Sequence, residues 1–133
     1  MKWYIHSITN YFNFSGRARR KEYWLFLLFN ILIITSLCII SEAILDTTGS
    51  EIFYYVVLLY MLFIIIPHLA VVVRRLHDID KSGLFWFVRI IPVIGPIWLF
   101  VLLVEDSSHG NNRYGMNPKN ISNEDAIDLI GKE

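Results

Sequence analysis

Two short stretches concentrate the groups able to do chemistry: GRARRKEYW at residues 16–24 and PHLAVVVRRLHDIDKSG at residues 67–83. In the first, helical spacing sets Arg17, Arg20, Lys21 and Trp24 on one face, while Arg19 can reach Glu22 or Tyr23 on another. Arginine presents a planar fork of donors that matches a phosphate, which lysine lacks. Arg17, Arg19 and Arg20, with Arg74 and Arg75 of the second stretch, are therefore the candidates for holding an anionic lipid headgroup or phosphate. The plainer alternative is a topology signal, each cation near an anionic surface contributing about 1 kcal/mol.

A helix continued past Val73 brings Arg74, His77 and Asp78 to one side, with Arg75 also in reach of Asp78. Asp78 could pair with Arg75 or with an arginine of the first stretch and so tie two helix ends together. Glu22, His77 and Asp78 are thus the expected members of a structural ion-pair network. An acid–base site built from His77 and Asp78 ranks last, because no nucleophile and no ligand pattern accompanies the histidine. His68 and His77 lack the i, i+4 spacing of a helical zinc site, and there is no phosphate-binding glycine loop, nucleophile elbow or paired intramembrane carboxylate. Neither catalytic residues, metal ligands nor a cofactor are expected. Cys38 stands alone inside an apolar run, so no intrachain disulfide can form and the thiol reads as packing.

The elements that must position these groups are dictated by hydropathy. Of 133 residues, 55% are hydrophobic, and they gather into runs instead of recurring at core spacing, which indicates lipid as the solvent. The runs predict an all-α membrane protein with three transmembrane helices, at about residues 23–45, 52–73 and 84–104. The third is expected to be bent or broken at Pro92, Gly95 and Pro96, and Pro67 can kink the second. Asn30, Glu42, His68 and Arg89 are the polar residues within the runs; Glu42 and Arg89 lie near enough to an end to snorkel. Aromatics such as Tyr23, Trp24, Tyr54 and Trp86 collect where the runs meet water. Ahead of them, Met1, Tyr4, Ile5, Ile8, Tyr11 and Phe12 recur at three- and four-residue steps, as in a short interfacial helix. Residues 1–120 form a single membrane domain, and 121–133 a flexible polar tail.

Lysine and arginine crowd the N-terminal segment and the 74–83 loop but are absent from the 46–51 loop, so the N-terminus is expected in the cytoplasm. Three full crossings would leave the tail outside; re-entry of the third run would return it inside. Formal net charge is zero, which supports no nucleic-acid partner.

FNFSGRARRKEYW, then RRLHD with SG, then IPVIG, then GNNRYG with NP, occur in an order that resembles the bacterial family catalogued as domain of unknown function 805, over about residues 3–118. The chain departs from the family's common SGWW and NRYGP at Leu84 and Met116. The resemblance implies a small multi-pass inner-membrane protein and brings no activity with it. The leading functional expectation is a non-enzymatic module binding anionic phospholipid or a partner membrane protein, which could be a second copy of itself. The alternatives are a small transporter or channel-like oligomeric subunit and, last, a lipid-headgroup enzyme.

Overall fold

A computed structural model describes residues 2–118, with side chains from Tyr4 onward. The tail expected at 121–133 lies outside the described residues. The elements in order are α1 (Lys2–Thr9), α2 (Arg20–Thr48), α3 (Ile52–Asp78), a 3-10 helix (Gly83–Ile90) and α4 (Ile94–Val104).

The first two apolar runs form helices of 29 and 27 residues. At about 1.5 Å per residue each is roughly 40 Å long, enough to cross a hydrocarbon core of about 30 Å. Only 17% and 28% of their most apolar windows are buried, too little for the core helices of a soluble protein. Ile39, Ile40, Leu58, Leu59 and Leu62 all point outward, an arrangement that lipid permits and water does not. Gly49 ends α2 in the left-handed region at φ 66, where only glycine is unstrained, and its N–H returns to the Leu45 carbonyl.

Pro67 sits inside α3 and deprives the Phe63 carbonyl of its helical donor. The Tyr11 hydroxyl donates to that carbonyl at 2.5 Å, so the N-terminal segment repairs the gap. The same segment packs against both long helices. Tyr4 of α1 packs on Phe26 and Phe29 of α2 and reaches the Tyr60 hydroxyl at 3.4 Å. Tyr60 stands about 27 Å before the end of α3, counting eighteen residues of helical rise. α1 therefore lies along the flank of the two long helices, because ring stacking buries its apolar face there and the tyrosines find polar partners. Asn30 joins them, accepting from the Tyr60 hydroxyl at 2.6 Å and donating to the Phe26 carbonyl at 2.7 Å.

The third apolar run is not one continuous helix. The Ser82 hydroxyl accepts from the Leu84 N–H and opens the 3-10 helix, which ends at a bend over residues 91–93 where Val93 takes φ 67. α4 follows with 11 residues, about 16 Å, roughly half a crossing. Pro92 lies in the bend, and Pro96 occupies the first turn of α4, where a missing N–H leaves no bond unmade. Gly95 is buried where a Cβ would strike the Val88 carbonyl, and Gly83 lies so close to α3 that a Cβ would come within 2.8 Å of Val73 Cγ1. Two glycines thus permit the fold-back.

α4 returns to the end from which the 3-10 helix set out. Arg75 Nε donates to the Leu103 carbonyl at 3.2 Å, Arg20 Nε to that of Glu105 at 2.9 Å, and the Ser108 N–H to that of Asp78 at 3.0 Å. Residues 105–118 therefore sit at the same end of the molecule as 17–20 and 74–78. Three full crossings would have put them at the opposite end. At 11 residues α4 alone is shorter than a crossing, and the arginines at the near end supply donors for its terminal carbonyls.

Candidate functional site

The charged end of the bundle is built from four stretches of chain: the link before α2, the end of α3, the end of α4 and the segment after it. Asp78 lies at its centre, fully buried. Its Oδ1 accepts from Arg17 Nε at 3.0 Å, and its Oδ2 from Ser107 Oγ at 2.6 Å and from Arg75 Nη1. A buried carboxylate is stable only when cations and donors surround it, and here two guanidinium groups and a hydroxyl do so. Arg17 and Arg75 are themselves buried, with side-chain exposures of 2% and 0%.

Their remaining donors are spent on carbonyls. Arg17 Nη1 bonds to Gly110 at 3.0 Å, and Nη2 to Asp78 at 3.1 Å and Ser108 at 3.0 Å. Arg75 Nη2 donates to the Glu105 carbonyl. The chain ahead of α2 is also fixed directly, the Ala18 N–H meeting the Arg74 carbonyl at 3.0 Å.

A second buried pair lies beside the first. Arg74 Nη2 comes within 3.0 Å of Glu22 Oε1, the two side chains being 4% and 3% exposed. Ser7 Oγ donates to the same carboxylate at 3.2 Å and His6 Nδ1 lies 3.4 Å from it, so Glu22 ties α1 to α2 and α3. Among the described residues His77, expected in the ion-pair network, takes no carboxylate partner; its ring stacks on Tyr114 with centroids 3.7 Å apart. Asn112 Nδ2 donates to the His77 carbonyl at 2.8 Å. Arg113 reaches Asp80 at 3.2 Å on the surface, which raises the guanidinium above its ordinary range through hydrogen bond and charge.

Arg17, Arg74 and Arg75 thus point inward at Asp78 and Glu22, and do not converge on an open phosphate-sized site. Arg20 is different: Nε donates to the Glu105 carbonyl at 2.9 Å, but its side chain is 41% exposed, 3.8 Å from Asp106, and the neighbouring Lys21 is exposed. Sequence reasoning missed Ser107, Ser108, Asn112 and Tyr114. Their signal was the GNNRYG stretch, whose Gly110 and Gly115 (φ 67 and 130) turn the backbone so that its carbonyls face Arg17.

Residues 11–116 match the family model described as protein of unknown function (DUF805). Inner membrane protein YhaI of Escherichia coli strain K12 is 43% identical over 123 residues, 92% of this chain and 100% of the relative. Inner membrane protein YhaH of the same strain is 37% identical over 120 residues, 90% of this chain and 98% of the relative. No solved structure matches.

Proposed function

This chain belongs to the DUF805 family, and from that premise we propose that it is a non-enzymatic module of the bacterial inner membrane that binds anionic phospholipid at its charged end. In this reading α2 and α3 cross the bilayer, the third run dips in and returns, and the N-terminus and residues 105–118 share the cytoplasmic face. Lysine and arginine abundance around residues 17–21 and 74–81 supports that orientation.

The observation that carries the reading is a division of labour among cations. Arg17 and Arg75 are consumed by Asp78 and carbonyls, and Arg74 lies buried in an ion pair with Glu22, which makes the end rigid. Arg20 and Lys21, held on that rigid base, project from the first turn of α2 at the level of the headgroups. Arg17, Arg74 and Arg75 then contribute to lipid binding by positioning, and Arg20 and Lys21 by direct contact. Asp78 is fully buried and accepts from two guanidinium groups and a hydroxyl, which keeps it from an incoming headgroup and disfavours an enzyme.

The test is native mass spectrometry from mild detergent at two salt concentrations, comparing wild type with the double variant Arg20→Gln, Lys21→Gln. At about 1 kcal/mol per cation, the variant should retain phosphatidylglycerol or cardiolipin at least about tenfold more weakly. Equal retention at both salt concentrations contradicts the reading.

A further inference from the structure

Away from the charged end, a lateral cavity of about 370 Å³ opens between α2, α3 and the 3-10 helix. This lies low in the range of about 300–1,000 Å³ common for small-molecule sites. Its walls are apolar, Leu27, Ile34 and Ile64 among them, and its rim residues Ile31 and Ile65 are 51% and 55% exposed, so it faces lipid. Three polar side chains enter it: Asn30, His68 and Arg89. The amide of Asn30 is already committed to Tyr60 and Phe26. His68 and Arg89, with Trp86, also line an adjoining cavity of about 250 Å³ toward α4.

Arg89 is the anomaly. Arg17, Arg20, Arg74, Arg75 and Arg113 each face a carboxylate, whereas Arg89 meets none among the described residues. Its contact is the face of Trp86, 5.0 Å from guanidinium to ring centroid. The level is set by His68, ten residues or about 15 Å before the end of α3. Arg89 is exposed at the cleft, so in an apolar surrounding its guanidinium must either snorkel to the headgroups or take an anion as company.

We propose that this cleft is a binding site for a single-chain anionic lipid of the fatty-acid class, its carboxylate on Arg89 beside His68 and its chain along Leu27, Ile31, Ile34 and Ile64. Charge complementarity selects an anion, and the apolar walls select a chain. The volume suits one chain and not the two of a phospholipid, and a carboxylate is small enough to follow the chain below the headgroups. The site uses none of Arg19, Arg20 or Lys21, so it stands or falls separately from headgroup binding at the charged end.

Trp86 reports directly on occupancy. The full chain in neutral detergent is titrated with dibromostearate, with its neutral methyl ester and with brominated phosphatidylglycerol, and tryptophan quenching is followed in wild type and in Trp86→Phe. The acid should quench at concentrations where the ester and the phospholipid scarcely do, and Trp86→Phe should remove that component. Arg89→Gln should weaken it about tenfold, as expected for one charged hydrogen bond. Ile31→Phe, a lipid-facing change that narrows the cleft and leaves Arg89 intact, should weaken it as well, and both variants should keep the wild-type melting temperature. Equal quenching by acid and ester, or an Arg89→Gln variant indistinguishable from wild type, overturns the site. Quenching by the phospholipid as strong as by the acid overturns the single-chain assignment.

Discussion

Where α2 begins and α3 finishes, Arg17, Arg74, Arg75, Glu22 and Asp78 are packed out of contact with solvent. Around Gly49, where the same helices meet at their other ends, Asp46 and Glu51 are exposed and take no ion-pair partner among the described residues. The difference follows from chain connectivity. At the Gly49 end a turn of three residues already joins the helices covalently, so the entropic cost of bringing them together is small. At the charged end, segments up to 98 residues apart must be held in one place, and no short loop does it. Buried charge is concentrated where distant pieces of chain meet.

Breaking the comparison means removing Asp78. Asp78→Asn strands two buried guanidinium groups and should cost about 3–5 kcal/mol, read as a large fall in melting temperature in detergent. A conservative change at the other end, Asp46→Asn, should stay within about 0.5 kcal/mol. Comparable losses from the two would mean that the charged end is not what holds the fold.

Glu22→Gln comes next. It weakens contacts from Arg74, Ser7 and His6 and should cost about 2–3 kcal/mol, the range for hydrogen bonds to a charged group. Hydrogen exchange sharpens the point, because α1 should lose protection before α2 or α3 does. Uniform loss across all three helices would argue that Glu22 does not tether α1.

Gly83→Ala probes the entry to the fold-back. The new methyl meets Val73, whose side chain can yield, so about 1–2 kcal/mol is expected from overpacking. Lys81→Gln, two residues earlier on an exposed side chain, should change stability by about 0.5 kcal/mol or less. A Gly83→Ala melting curve that overlays wild type would remove close packing as the reason for glycine there.

The two long helices were legible because about 20 consecutive apolar residues have few other solutions. Their ends ran further than hydropathy indicated: α2 starts at Arg20 and α3 continues to Asp78, since charged residues remain helical where partners lie across the bundle. The break in the third run was legible from Pro92, Gly95 and Pro96, but its direction was not. Those residues mark where a helix stops, while the return depends on acceptors at Leu103 and Glu105 meeting donors at Arg75 and Arg20. The position of α1 was hidden for a similar reason. Its period indicates an apolar face without naming the surface that covers it, and Tyr11 serves a carbonyl freed by a proline 56 residues later. The arginines were legible as a cluster, whereas the inward aim of Arg17 depends on Gly110 and Gly115 far along the chain.

The fold-back is the central claim, and labelling from either side of the membrane tests it most directly. In a Cys38→Ser background, single cysteines are introduced by Ser50→Cys in the α2–α3 turn and His109→Cys after α4, and an impermeant thiol reagent is applied to right-side-out and inverted inner-membrane vesicles. Position 50 should react only in right-side-out vesicles and position 109 only in inverted ones. Reaction of both positions in right-side-out vesicles would mean that the third run crosses completely, and the charged end described above could not form.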